Sequence, residues 1–344
     1  MWRSPVAQRS GGPEVASSNL VIPTNAVATQ LHFCTIIDTM ALRGQFEQSH
    51  TAVKIIQWLG CIFLFSIPAM GSMFLFSQPL SVESLKWIQF IQAVAFFLLP
   101  PLCMAYLWSK EPMRWLFGNK NAHGIWAIGI MLVALPAINL LSHLNQQMTL
   151  PAFLEPLEAW MKMQEENATF LTEQFLNVNT LFGLLVNLLL MALLPALAEE
   201  LTFRGTLQQL LTTRKQLGNK TNGSKQVIPH MAIWCSAILF SAIHLQFYGF
   251  IPRMLMGALF GYMLTWTGSL WTPILMHLTN NAAAVLLYFV AHRAGWDMDI
   301  VDTIGTNDTL WLGVVSIVLA ILGIYAFRRS TTISNASSRI SNGN

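Results

Sequence analysis

Charge is what this sequence has least of. Its 19 basic and 16 acidic residues make 35 in a chain of 344, or 10%, against about 25% in an ordinary soluble domain. So few charges cannot cover a soluble surface. Hydrophobic residues reach 54% and the mean hydropathy is +0.50. These figures exclude a disordered chain, a nucleic-acid-binding module and most soluble enzymes. The net charge of +3 is too small to argue for a polyanionic partner. Cysteine is equally sparse. Cys34, Cys61, Cys103 and Cys235 are scattered, which excludes a disulfide framework and a cysteine metal motif. No internal repeat is visible, which counts against transporters built from inverted repeats.

What remains is long apolar runs. A spanning helix needs roughly 20 mostly apolar residues. Eight segments qualify: 55–76, 87–108, 125–142, 180–203, 230–248, 250–267, 270–291 and 310–327. The fourth continues as helix to about Thr213. The expected fold is therefore all-α, a polytopic integral membrane protein of about eight transmembrane helices. Pro68, Pro100, Pro101, Pro136 and Pro195 lie inside these spans; neighbouring groups in a bundle can satisfy the carbonyls that they free. The chain divides into four regions. Residues 1–50 form a polar tail expected to lack order. Residues 51–178 hold the first three spans and an outer segment, 152–176, whose mixed apolar and acidic pattern fits an amphipathic helix on the membrane surface or a solvated loop helix. Residues 179–292 hold spans four to seven. Residues 293–344 hold the last span and a basic tail. The tail 1–50 has no basic start followed by an apolar core, so no cleavable signal peptide is read in it. Met40 leads into the first span through a short polar stretch and reads as an alternative natural start.

Basic residues set orientation. With the N-terminus in the cytoplasm, 14 of the 19 fall in cytoplasmic segments and three, Lys86, Lys162 and Arg293, opposite. Eight spans with both termini cytoplasmic is the expectation, in a bacterial inner membrane.

Ionisable groups within spans are functional candidates by default. In Leu197–Gly205 (LAEELTFRG), Glu200 and Arg204 stand four apart and share a helix face. Glu199 is turned about 100° away and has no basic residue three or four positions off. An unpaired carboxyl in a dry site suits proton transfer; a solvated helix end is the bland alternative. Glu199 lies 15 residues before Arg214, and His244 lies 15 after Pro229. In antiparallel neighbours both then sit roughly 22 Å from the connecting turn, at equal depth. In the seventh span His277 and Asn281 point the same way, Thr272 is a plausible N-cap with Pro273 after it, and Asn280 fits helix–helix packing. A simple count places His277 shallower than His244; tilt, or a turn at 267–269 buried below the surface, would reconcile them. Arg253 is read as snorkelling to the interface.

One free carboxyl, two histidines and an amide suit hydrolysis by activated water. Glu199 would be the base, His244 would orient the water, and His277 and Asn281 would donate to an oxyanion. Glu199, His244 and His277 are equally a legitimate zinc set with an open fourth position, and the residues alone do not separate the two. No aspartate lies in any span, no H-E-x-x-H occurs, and no G-x-S-x-G surrounds Ser241. Aspartyl, zincin and serine chemistries are thereby disfavoured.

Glu199-Glu200-x-x-x-Arg204, Phe240-x-x-x-His244 and His277-x-x-x-Asn281 resemble the three motifs of the CPBP family, the CAAX-protease-like and bacteriocin-processing (Abi, Rce1-type) intramembrane proteases. The resemblance covers residues 180–291 and extends to Gly257/Gly261 and to Thr267-Gly268-Ser269-Leu270-Trp271-x-Pro273. It implies an intramembrane endopeptidase of eight helices. Glu199 would be the catalytic carboxylate and Glu200 the partner of Arg204, with His244, His277 and Asn281 completing the site. The substrate would be a membrane-embedded or membrane-anchored protein or peptide, and no nucleic acid is expected. The family is labelled metalloprotease, yet a metal-free glutamate-and-water mechanism has also been argued for it; histidine and asparagine donors can bind an oxyanion without metal. Its members credited with bacteriocin immunity, and a transporter using the same cluster as a proton relay, are the alternatives.

Overall fold

The computed structural model describes residues 42–76, 80–118, 123–212, 228–296, 301 and 303–341, with side chains to 332. Residues 1–41 of the tail expected to lack order, the basic loop after Thr212 and the acidic stretch 297–300 lie outside the described residues. The helices all belong to the compact unit Gly44–Asn344.

Among the described residues every element is helical. The helices are α1 (Thr51–Gly71), α2 (Val82–Trp108), α3 (Pro112–Phe117), α4 (Gly124–Gln146), α5 (Glu155–Leu176), α6 (Leu181–Leu211), α7 (His230–Ala242), α8 (Phe250–Thr267), α9 (Trp271–Ala294) and α10 (Leu310–Ser341). Seven, all but α3, α5 and α7, are long and apolar enough to cross a membrane, as an all-α polytopic membrane protein requires. The last residues of the expected tail are held: the Gly44 and Phe46 amides donate to the Tyr106 and Leu107 carbonyls at the end of α2.

The expected fifth span, 230–248, is corrected. Helix α7 stops after 13 residues, about 20 Å, short of a hydrocarbon core near 30 Å. Leu245 adopts a left-handed φ of 55°, and a 3₁₀ turn over Phe247–Gly249 leads into α8. The hairpin is pinned from α4, where buried Asn145 donates to the Phe247 carbonyl and accepts from the Ile251 amide. His244 therefore sits in a turn inside the bundle and not on a helix flank.

The prolines behave as a bundle permits. Pro101 has no N–H for the Phe97 carbonyl, and the Thr202 hydroxyl donates to it at 2.7 Å. Pro195 likewise leaves the Met191 carbonyl, which Asn281 reaches at 3.3 Å. Beside Pro136, the Ser316 hydroxyl accepts from the Ala137 amide and donates to the Val133 carbonyl. Widened π turns occur at Val94–Leu98, Leu188–Leu193 and Phe203–Gln208. Two of them bracket the stretch of α6 that carries Glu199 and Glu200, and π turns cluster at functional sites.

The depth of His277 is reconciled by a buried turn. Gly268 takes a left-handed φ of 65° and ends α8. Ser269 and Leu270 are buried under α3, whose Phe117 carbonyl accepts the Leu270 amide. The helix begins at Trp271, so Leu270 and not Thr272 occupies the cap. The Thr272 hydroxyl instead donates to Thr267 Oγ1.

Candidate active site

Helices α6, α7, α8 and α9 build the site. Its foundation is Arg204, wholly buried within the π turn of α6. One guanidinium nitrogen donates to Glu200 Oε1 at 2.8 Å and another to the Gly257 carbonyl on α8 at 3.0 Å. Its centre lies 4.4 Å from the Phe240 ring and 5.4 Å from the Phe260 ring, within cation–π range. The expected Glu200–Arg204 pair is thus present, with both side chains 0% exposed. Four residues on, Gln208 repeats the docking by donating to the Gly261 carbonyl. A side chain at Gly257 or Gly261 would occupy the space of the Arg204 and Gln208 head groups. The small-xxx-small spacing that lets membrane helices approach here admits two polar head groups.

Glu200 then orients His277. The same Oε1 that accepts from Arg204 lies 2.9 Å from His277 Nδ1, so Nδ1 carries the proton. The imidazole stacks on Phe260 and meets Phe240 edge-on. His244 is set the same way: Nδ1 lies 2.7 Å from the Phe240 carbonyl, which can only accept. Phe240 thereby cushions Arg204, packs on both imidazoles and holds one of them through its backbone.

With both Nδ1 atoms committed, both Nε2 atoms face Glu199. His277 Nε2 lies 3.8 Å and His244 Nε2 4.0 Å from Glu199 Oε2. That oxygen is buried and has no hydrogen-bond partner among the described residues. Both spacings are too long for a direct hydrogen bond. A water about 2.8 Å from each atom of such a pair subtends roughly 90°, near its own bond angle.

The zinc set is right in donor type and open in geometry. Tetrahedral bonds near 2.0–2.1 Å put ligand atoms about 3.3–3.5 Å apart, less than either spacing. Among the described residues no group of three His, Cys, Asp or Glu side chains is gathered to hold a metal ion.

Asn281 stands apart from the carboxylate. Its amide donates to the Met191 carbonyl and its oxygen accepts from Asn280. One amide N–H remains to offer. Asn280 thus meets its neighbour Asn281 through this bond. Arg253, read from the sequence as snorkelling, donates to the Gln246 side chain at 3.0 Å and to the Gln246 carbonyl at 3.3 Å.

Fold and site together define a polytopic all-α membrane protein with a buried glutamate–histidine centre. Residues 181–283 match the family described as Type II CAAX prenyl endopeptidase Rce1-like, which shows the resemblance read from the three motifs. The chain is similar to the uncharacterized protein YpbD of Bacillus subtilis (strain 168), with 28% identity over 100 residues. That stretch is 28% of this chain, and the chain spans 42% of the relative's length. No solved structure matches the chain.

Proposed function

We propose that the protein is an intramembrane endopeptidase that hydrolyses a peptide bond of a membrane-embedded or membrane-anchored protein or peptide with water activated by Glu199. The observation that carries this reading is the convergence of two Nδ1-tethered imidazoles on the partnerless Oε2 of Glu199. The family match of residues 181–283 supports it.

Three acceptor atoms face one another, and a water brings only two protons. The resting cluster therefore needs one more proton, and an imidazole Nε2 is where it serves best. Glu199 takes a proton from the water as its oxygen attacks the scissile carbonyl carbon. The C–O bond forms, and the carbonyl oxygen becomes an oxyanion, with the free Asn281 N–H and a histidine N–H as donors. The histidine then gives its proton to the departing nitrogen as the C–N bond breaks. The products are a carboxylic acid and an amine. Were a metal held, Glu199, His244 and His277 would hold it, and it would supply Lewis-acid activation of water. Helix α7 and the turn that carries the chain on into α8 together complete an eighth crossing, and the excess of basic residues in the assigned cytoplasmic segments supports both termini lying on the cytoplasmic side of a bacterial inner membrane.

Proteomics of membranes from cells carrying wild type or Glu199→Gln tests the reading. A protein that accumulates uncut only with Glu199→Gln, and that purified wild type cleaves, is the expected result. Equal cleavage by Glu199→Gln or His244→Ala refutes it. Protection against a bacteriocin that survives Glu199→Gln would mark an immunity protein, and substrate-driven proton flux lost at Glu199 a transporter.

A further inference from the structure

A polar cavity of about 870 Å³ opens between α4, α5, α8 and α9, a size within the range of about 300–1,000 Å³ typical of ligand sites. It lies beside the catalytic cluster, joined to it by the turn after α7. Gln246, which lines the cavity, is two residues from His244. Arg253 also lines it and is within electrostatic reach of Glu199 on one side and Glu165 of α5 on the other. At the α5 end Glu165 and Glu173 face the same space, and Glu165 accepts the Tyr248 amide. The cavity is therefore dipolar, with an acidic end at α5 and a cationic end at the catalytic cluster.

The cation is the unusual part. Arg253 stands in a membrane-spanning helix. Its bonds run to the neutral Gln246, and among the described residues no carboxylate oxygen lies within 4.0 Å of it. A guanidinium inside a bundle without a contacting counter-ion is costly, and its planar fork matches a carboxylate in two-point contact. Gly249 leaves room for this placement, since a side chain there would begin 3.0 Å from the guanidinium.

We infer that this cavity binds a carboxylate-bearing stretch of polypeptide, with Arg253 as the anion anchor beside the scissile position. The polypeptide nature of the guest rests on the endopeptidase reading; the anion preference does not. The carboxylate is a chain terminus or an acidic side chain, which the same chemistry recognises. Arg253 is thus a positioning residue. It holds the substrate and leaves bond-making to Glu199.

The test uses the full chain in membranes, with Cys34, Cys61, Cys103 and Cys235 replaced by serine. Gln246→Cys reports on the cationic end, and Thr169→Cys, flanked four residues away on each side by Glu165 and Glu173, on the acidic end. Each is reacted with a sulfonatoethyl and a trimethylammonioethyl thiosulfonate. The anionic reagent should be the faster at Gln246→Cys and the cationic one at Thr169→Cys. Adding Arg253→Gln should cut the anion-to-cation rate ratio at Gln246→Cys by about tenfold, whereas Arg253→Lys should preserve it. A ratio indifferent to Arg253→Gln, or a Gln246→Cys that neither reagent reaches, overturns the proposal.

A second arm, run in Glu199→Gln so that nothing is cleaved, adds N-acetyl tripeptides at millimolar concentration. A free acid or a C-terminal amide carrying glutamate should slow labelling of Gln246→Cys about threefold, the protection given at twice the Kd. A neutral amide should not. Protection by the free acid alone identifies a chain terminus, and protection by the glutamate amide an acidic side chain. Protection by neither refutes the site. An anion-selective cavity in a protein whose Glu199→Gln variant still cleaves would sink the catalytic reading and leave this one standing.

Discussion

Gly257→Ala probes the point where fold and chemistry meet. The added carbon would begin 2.9 Å from an Arg204 guanidinium nitrogen, 3.2 Å from the Phe240 ring and 3.3 Å from the Ala237 Cα. Ordinary contact needs about 3.5–4.0 Å, so roughly 0.6–1 Å must be found. Little nearby can yield. The guanidinium is held by Glu200 and the Gly257 carbonyl, Phe240 lies beneath it, and Ala237 is backbone. Overpacking of this kind costs about 1–3 kcal/mol. Loss of the charge-assisted bond to the Gly257 carbonyl adds about 1.5–3 kcal/mol. We expect a combined destabilisation of about 2.5–6 kcal/mol, read as a lower unfolding temperature in detergent by tryptophan fluorescence. Displacing Phe240 also moves the carbonyl that fixes His244 and the ring that packs on both imidazoles. A misplacement near 1 Å costs about a hundredfold in rate, read as cleavage of whichever substrate accumulates with Glu199→Gln. Gly129→Ala, with nothing within 4 Å of the new carbon, serves as the neutral control. A Gly257→Ala protein that melts and cleaves like wild type would refute the claim that Gly257 exists to admit Arg204.

At Gly261 the added carbon would begin 2.6 Å from the Gln208 side-chain oxygen and 2.9 Å from the branch methyl of Ile233, so Gly261→Ala should also lower the unfolding temperature but, touching neither Arg204 nor Phe240, leave cleavage within a fewfold of wild type. Asn281→Ala should destabilise by about 1–3 kcal/mol through the abandoned Met191 carbonyl. Pro195→Ala, which restores an N–H four residues on, should recover part of that loss, and a double-mutant cycle without coupling refutes the assignment. If water bridges Glu199 and the histidines, cleavage should survive chelation, and elemental analysis should find less than one zinc per chain; loss of activity restored by zinc would reverse this. Glu158, outside the spans, is held below the ordinary carboxylate range by the Lys162 ammonium and the Leu150 amide. Its contribution to seating the start of α5 is present above the unfolded value of about 4.3 and fades as pH falls through the lower folded value. Exchange protection of the Leu150 amide, corrected for intrinsic pH dependence, should fall in that range in wild type and be absent in Glu158→Gln.

The fourth span shows why parts of the site are legible without coordinates. Glu200 and Arg204 pair because four residues on a helix share a face, a local rule, and the same rule leaves Glu199 alone. The fifth span shows the opposite. The apolar run 230–248 satisfies a length criterion, but the left-handed Leu245 and the Asn145 bridge from α4 break it. That bridge spans about a hundred residues of sequence, beyond any local rule. Arg253 gives a further case, since only packing reveals that its head group is tied to Gln246 and lines a polar cavity.

The membrane setting, most of the helices and the carboxylate left without a partner are legible in the chain alone. Each follows from composition or from the 3.6-residue period, and both are properties of the local chain. Tertiary structure alone decided that Phe240 and Glu200 take the Nδ1 protons, so that both Nε2 atoms face Glu199. It also decided that Gly257 is the space for a guanidinium, and that the site adjoins a dipolar cavity. Those outcomes depend on groups from four helices meeting at one point, and proximity of that kind is set by the packing of the whole bundle.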